Sequence, residues 1–233
     1  MSRRIWNRDW KFILEKTVLR RHRPKPYEPK VREVLRNIKG RLFVDVGASD
    51  GAYSLLLRRN FVQVYSFEPN PETFEVLRWN IDKQKARNIK CYPVALADFT
   101  GETTLFLDQR VGISGLSDTI LANFEYRPGR VDDAGEPHRY SGQKGVKVAV
   151  RKYDDVILSE TADLVKVDVE GAEFSVLRGA GIALSENRIR SIMVELHNRD
   201  QTQELLKLLE SYGFDTQLLD SHPRIFGKLR AGA

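Results

Sequence analysis

Arg41-Leu42-Phe43-Val44-Asp45-Val46-Gly47-Ala48-Ser49-Asp50-Gly51 sets a short apolar run against a turn with two glycines. An apolar run of this length reads as a strand buried on both faces, as in a parallel sheet. Ala52 to Arg59 has helical character, so the turn joins a strand to a helix. Gly47 allows a tight bend, and Gly51 allows a ligand or a neighbouring backbone to come close.

The same alternation continues downstream. Val62 to Phe67 is a second strand, and Asn70 is a good N-cap with Pro71 as first helical residue. That helix sets Phe74, Leu77 and Ile81 on one face. Ile89 to Ala95 is a third strand, Glu102 to Leu107 a β extension, and Val146 to Val150 another strand. Leu164 to Val167 is an apolar strand carrying Lys166, followed by a helix from about Ala172 to Arg178. Ile192 to Leu196 is a strand and Gln203 to Tyr212 a helix. Phe214 to Leu219 and Ile225 to Leu229 form a hairpin around Ser221-His222-Pro223. Strands alternating with helices predict an α/β doubly wound, mostly parallel sheet, and the hairpin adds an antiparallel strand.

Two regions stand apart. Residues 1–40 form a basic N-terminal arm and linker, and 41–233 the main domain, interrupted at 109–145 by a Gly-, Asp-, Arg- and Pro-rich insert without periodicity. An insert of this length suits a substrate lid. The arm holds 13 Lys/Arg against 4 Asp/Glu, while the rest of the chain holds 25 against 28, so the net charge of +6 belongs to the arm. A globally basic, nucleic-acid-coating domain does not fit this distribution, and nucleic acid is not the expected partner. Trp6, Trp10, Ile13, Leu14, Thr17 and Val18 recur at helical spacing among Arg3, Arg4, Arg8, Lys11 and Lys16. This helix could pack on its own domain or on a second copy in a homodimer. It could also touch an anionic surface, such as phospholipid headgroups at a membrane periphery or a charged glycan. Packing is the preferred reading.

The 233 residues are 41% hydrophobic and 30% charged, an ordinary globular balance. No apolar stretch approaches the roughly 20 residues that span a bilayer. The charged N-terminus lacks the apolar core of a secretory signal. The single cysteine, Cys91, leaves no internal disulfide framework and no multi-cysteine metal or iron–sulfur site. A reducing, cytoplasmic setting is expected.

Glu68 ends the second strand, 21 residues after Gly47, where a carboxylate can accept hydrogen bonds from both ribose hydroxyls of a nucleoside cofactor. Three readings of the turn compete. Dinucleotide binding wants a second glycine where Ser49 stands, to let backbone approach a pyrophosphate. A Gly-x-Ser-x-Gly nucleophile elbow matches residues 47–51 literally, but on the first strand, too early for a hydrolase. Adenosylmethionine binding needs no diphosphate site, and the C-terminal hairpin favours it over an all-parallel dinucleotide fold.

With this turn, Ser66-Phe67-Glu68-Pro69-Asn70-Pro71, Val94-Ala95-Leu96-Ala97-Asp98, Leu164-Val165-Lys166-Val167-Asp168-Val169-Glu170-Gly171-Ala172-Glu173 and Met193-Val194-Glu195-Leu196-His197, the sequence resembles the FkbM family of class I methyltransferases over about residues 41–200. The Lys-x-Asp-x-Glu-Gly-x-Glu segment is its most distinctive part. The resemblance implies a Rossmann-like, doubly wound, mostly parallel seven-stranded sheet with an antiparallel C-terminal hairpin strand. It implies S-adenosyl-L-methionine as cofactor, S-adenosyl-L-homocysteine as product, and O-methylation of a sugar, glycan or natural product. It places Asp45, Gly47, Ala48, Ser49 and Gly51 at the methionine end and Glu68, with Pro69 and Asn70, at the ribose. Ala97 would meet the adenine ring face and Asp98 its amino group. Asp168 and Glu170 would stand where sulfonium and acceptor meet.

Methyl transfer to an alcohol needs positioning, exclusion of water and a base for the hydroxyl proton. Asp168, Glu170, Glu195 and His197 fall at the carboxyl ends of strands, where such sheets bind ligands, and are expected to converge. His197, with an ordinary pKa near 6.5, is the first candidate base and Asp168 the second. Lys166 needs a partner if buried, and Asp168, two residues on and on the same face, can supply one. It could be a structural ion pair or tune the site. The four end-of-strand residues could hold a hard cation, but no metal-motif spacing supports this, and no metal is expected. An RNA or N-methyltransferase and a non-enzymatic nucleotide-binding module are the alternatives, with an NAD-linked oxidoreductase behind them.

Overall fold

The computed structural model describes residues 28–107, 120–121, 144–220 and 223–232. The expected arm helix and nearly all of the 109–145 insert lie outside these residues. Helix α1 (Pro29–Arg36) leads to β1 (Gly40–Val46), α2 (Ala52–Leu57), β2 (Phe61–Phe67), α3 (Pro71–Lys83) and β3 (Ile89–Tyr92). Then come β4 (Val94–Leu96), β5 (Gly101–Leu107), β6 (Ile120–Leu121), β7 (Lys144–Arg151), α4 (Tyr153–Val156) and β8 (Leu164–Val167). The remainder is α5 (Glu173–Gly179), α6 (Gly181–Ser185), β9 (Ser191–Glu195), α7 (Thr202–Ser211), β10 (Phe214–Leu218) and β11 (Arg224–Leu229). Among the described residues, no helix is long and apolar enough to cross a membrane.

The main sheet has seven strands in the order β10-β11-β9-β8-β1-β2-β3. β1 lies inside it, between the middle strand β8 and β2 and parallel to both, with Val44 opposite both Tyr65 and Val165. β11 is antiparallel to β9 and to β10, which makes it the reversed strand that the hairpin predicted. The apolar run Leu42–Val46 is wholly buried because its side chains alternate between two layers. Leu42, Val44 and Val46 pack with Val176, Leu177 and Leu184, and Phe43 packs on the other side with Val31, Leu57 and Leu77. Asp45 and Lys166, opposite each other in β1 and β8, are buried in positions that pattern alone would fill with hydrophobes.

Several elements depart from expectation. The strand expected over Ile89–Ala95 is two strands: β3 stays in the main sheet, while β4 joins a second sheet in the order β4-β7-β5-β6. Pro93 lies at the break, where its missing N–H cannot serve a sheet ladder. The helix after β8 turns at Ala180 into a second short helix. A Cβ on Gly179 would come within 2.0 Å of the Ala97 carbonyl oxygen, so β4 and α5 meet through a missing side chain. As expected, Asn70 caps α3, its side chain accepting from the Glu72 N–H at 3.0 Å, with Pro71 behind it.

Gly47 closes β1 at φ +76°, and a Cβ there would lie 1.9 Å from the backbone oxygen of Asp168. At Gly181, which opens α6, an added Cβ would meet nothing within 4 Å. Gly47→Ala is therefore expected to lose at least about 3 kcal/mol of stability, from backbone strain and a clash with main chain. Gly181→Ala should change it by less than about 1 kcal/mol, in the stabilising direction. Urea unfolding of the two variants beside the parent checks both.

Candidate active site

The bend after β1 is held by backbone. The Gly47 and Ala48 N–H groups both donate to the Phe67 carbonyl, at 3.0 and 2.9 Å. Ser49 takes a left-handed conformation (φ 50°) and Gly51 another (φ 85°). The Ser49 N–H then donates to Glu68 Oε2 at 3.0 Å, while Glu68 Oε1 accepts from the Asn70 N–H at 2.9 Å. Glu68 thus points at the bend from the end of β2, almost fully buried. Burial pushes its pKa up to about 7, more than the two N–H bonds pull it down.

Between bend and carboxylate lies a cleft with about 660 Å³ of empty space, part of it open to solvent. Gly47, Ser49, Glu68 and Pro69 form one side and Asp168, Val169, Glu170 and Ala172 another. Phe67, Val94, Ala95, Leu96 and Leu105 supply an apolar wall. A bend with close backbone approach, a carboxylate facing it and an apolar wall fit a nucleoside with a ribose diol and a flat base.

Of the expected cofactor residues, Gly47, Ser49, Glu68, Pro69 and Asp168 line this cleft. The others shape it from behind. Asp45 lies under the bend, accepting from Ser54 Oγ at 2.6 Å, and Ser54 Oγ also meets Ser66 Oγ at 2.7 Å. Ala48 is buried in the core, Gly51 abuts Leu77 of α3, and Asn70 is a cap. Ala97 and Asp98 are not brought to the lining. Ala97 is fully buried against Gly179. Asp98 accepts from Ser175 Oγ at 2.6 Å and Arg178 Nε at 2.7 Å, which hold its carboxyl below the usual range although partial burial works the other way. The Val94–Leu96 strand and Leu105, unassigned from sequence, stand at the cleft instead.

The loop after β8 carries the other half of the site. Lys166 Nζ, itself buried, donates to Asp168 Oδ2 at 2.8 Å and lies 4.9 Å from the centre of the Tyr53 ring. Burial alone would lower the Lys166 pKa, but Asp168 and Asp45 more than offset it and keep the ammonium charged. Glu170 takes a left-handed backbone (φ 54°) before Gly171. His197, beyond β9, has Nε2 at 3.1 Å from Glu170 Oε2 and 4.0 Å from Asp168 Oδ1, and Nδ1 at 2.9 Å from Glu173 Oε1. Asp168, Glu170 and His197 therefore converge as expected.

Two expectations need correction. His197 is not poised as a base. Burial works against its charged form, but bonds to Glu170 and Glu173 outweigh this and push its pKa up to about 10, so it is an imidazolium at neutral pH. Glu195 does not join the group: its Oε1 accepts from Arg224 Nη2 at 2.9 Å, in a cluster where Arg224 also meets Glu28 and Asp220. Glu28 bonds the Tyr53 hydroxyl as well. Glu173, the buried partner of His197, had no role assigned from sequence. Its signal was its place three residues after Glu170, closing the Lys-x-Asp-x-Glu-Gly-x-Glu segment.

A seven-stranded sheet with one reversed strand, and a cleft between a glycine bend and an acidic strand end, define a class I methyltransferase fold. The methyltransferase FkbM domain model matches residues 45–216. Methyltransferase sdnD of Sordaria araneosa is 31% identical over 193 residues, covering 74% of this chain and 73% of its own. Hexuronic acid methyltransferase AglP of Haloferax volcanii is 28% identical over 177 residues, covering 75% of this chain and 63% of its own. The crystal structure of methyltransferase FkbM from Methylobacillus flagellatus superposes with a TM-score of 0.54 at 20% identity, over 82% of this chain and 44% of that one. A Streptococcus mutans protein solved with S-adenosylhomocysteine shares the fold at a TM-score of 0.52 and 10% identity, over 88% and 99%. The chain belongs to the FkbM methyltransferase family, and its cofactor is S-adenosylmethionine.

Removing the Lys166 ammonium would leave the Asp45 and Asp168 carboxylates without it. Lys166→Met should cost about 3–5 kcal/mol in urea unfolding. The two carboxyls would then resist ionisation in the fold, so the deficit should grow as pH rises from 5 to 8.

Proposed function

We propose that this chain transfers the methyl group of S-adenosylmethionine to a hydroxyl oxygen of a sugar, glycan or natural-product acceptor. The carrying observation is the pair of carboxylates, Asp168 and Glu170, on the cleft wall beside His197. A hydroxyl must give up its proton as it attacks, and a carboxylate at that place can take it. The relatives lend support: one is described as a hexuronic acid methyltransferase.

The cofactor, when bound, supplies an already activated methyl on a sulfonium. Glu68 receives the ribose hydroxyls, and the apolar wall of Phe67, Val94–Leu96 and Leu105 receives the base. Asp168 and Glu170 put negative charge near the positively charged donor. Asp168 is the base in this reading: its Oδ1 lies on the His197 side, while Lys166 holds Oδ2 and fixes the carboxylate's orientation. His197, already protonated, orients Glu170 rather than taking the proton.

Incubation with methyl-labelled cofactor and a panel of uronic acids, neutral sugars and hydroxylated natural products tests the reading. Label in a base-stable ether supports it. Label confined to RNA, an amine or a base-labile ester overturns it. Asp168→Asn should lower kcat by about 10²-fold or more.

Because Glu68 titrates near pH 7, its carboxylate is lost below that pH, and with it the acceptor of two hydroxyl hydrogen bonds. Affinity for S-adenosylhomocysteine should be level above pH 8 and fall by up to about tenfold per pH unit well below 7. In Glu68→Gln the binding should be weaker at pH 8 and lose this slope. Calorimetry across pH 5.5–8.5 reads both.

A further inference from the structure

Asp168, Glu170 and His197 each turn one ligand-type atom toward a common point, the atoms lying within 4.8 Å of one another. They are half-buried, at the ends of two neighbouring strands. The set is mixed, one imidazole nitrogen and two carboxylates, which suits Mn²⁺, Fe²⁺ or Zn²⁺ better than Ca²⁺. A further side chain fixes the ring. Glu173, buried, accepts the Gly171 N–H at 2.7 Å and bonds His197 Nδ1 at 2.9 Å, which leaves Nε2 facing the other two residues. A carboxylate behind a ligating imidazole is the arrangement that sets tautomer and orientation in metal sites. On the opposite side Lys166 holds Asp168 Oδ2, so that Oδ1 is the oxygen toward His197.

We propose that Asp168, Glu170 and His197 are the protein ligands of a divalent cation at the mouth of the cofactor cleft, and that the cation also binds the acceptor's oxygens. Three protein ligands leave coordination positions for a hydroxyl and a neighbouring oxygen of the acceptor. With the cation bound, Asp168 Oδ1 serves as a ligand instead of taking the proton, and the acceptor hydroxyl, acidified by the cation, gives its proton to water. The acceptor half of this inference rests on the O-methylation reading; the cation half does not. Charge supports it. Asp168, Glu170 and Glu173 outnumber the two cations among them, the Lys166 ammonium and the His197 imidazolium, so an acidic sugar would bring a further carboxylate to an already acidic site unless a cation bridged them. The ion occupies the place of the Nε2 proton, and binding releases that proton.

The test uses the full chain stripped with chelator and titrated with Mn²⁺, free ion being read by electron paramagnetic resonance, with and without S-adenosylhomocysteine. One Mn²⁺ per chain at sub-millimolar concentration is expected, weakened at least about tenfold in Glu170→Gln and in His197→Gln. Glu173→Gln should weaken it in the same direction while leaving S-adenosylhomocysteine affinity unchanged. A chain that binds S-adenosylhomocysteine normally yet takes up no Mn²⁺ below the millimolar range overturns the cation site and leaves the methyltransferase reading intact. So does Mn²⁺ binding indifferent to both ligand substitutions. Cofactor affinity in each variant serves as the folding control. If one ligand variant does not fold, the other decides.

Discussion

The end of β1 and the loop after β8 approach so closely that only a hydrogen fits between them: the Cβ absent from Gly47 would stand 1.9 Å from the Asp168 carbonyl oxygen. That contact fixes more than a turn. The Asp168 N–H donates to the Val46 carbonyl at 3.1 Å, so the two strand ends are tied by backbone on the same residue. The bend that leads to Glu68 and the loop that carries Asp168 and Glu170 thereby become two sides of one cleft. A side chain at position 47 would push them apart and separate Glu68 from Asp168 and Glu170.

Behind the cleft, charge is ordered in alternation. Lys166 lies among Asp45, Asp168 and the face of Tyr53, and His197 lies between Glu170 and Glu173. The carboxylates around them hold both cations, Lys166 and His197, in their protonated forms. Such an arrangement costs desolvation, which is why it depends on complete pairing. Its chemical consequence is that the site presents fixed negative oxygens toward the cleft, and that a histidine which looks like a base in isolation is committed as a donor.

The fold was legible because its signals are local. The apolar run at Leu42–Val46 announced a buried parallel strand, Asn70-Pro71 a helix start, and the 214–229 hairpin a reversed strand. Glu68 was legible for the same reason: spacing from Gly47 put it at the next strand end, and a parallel sheet brings adjacent ends together. What escaped were facts of the third dimension. The resemblance implied that Asp98 would meet an adenine amino group, yet Ser175 and Arg178, 77 and 80 residues away, hold its carboxylate. Glu195 points to Arg224, a partner whose sequence position gives no hint of the pairing. The protonation of His197 depends on Glu170 and Glu173 together, and a sequence carries no distances between side chains.

The two halves of the cleft are held by different forces, and this bears on where specificity can reside. The half around the bend is held by main chain: the Gly47 and Ala48 N–H groups fix the bend on the Phe67 carbonyl, and the Ser49 and Asn70 N–H groups orient the Glu68 side chain. Main-chain donors do not change with residue type, so this half can stay constant while its neighbours vary. The half around Asp168, Glu170 and His197 is built from side chains alone, where one substitution alters charge, proton balance or ligand set at once. β5, which contributes Leu105 to the cleft wall, also leads into the long insert before β7. Residues on the side-chain half can therefore vary without disturbing the backbone of the bend.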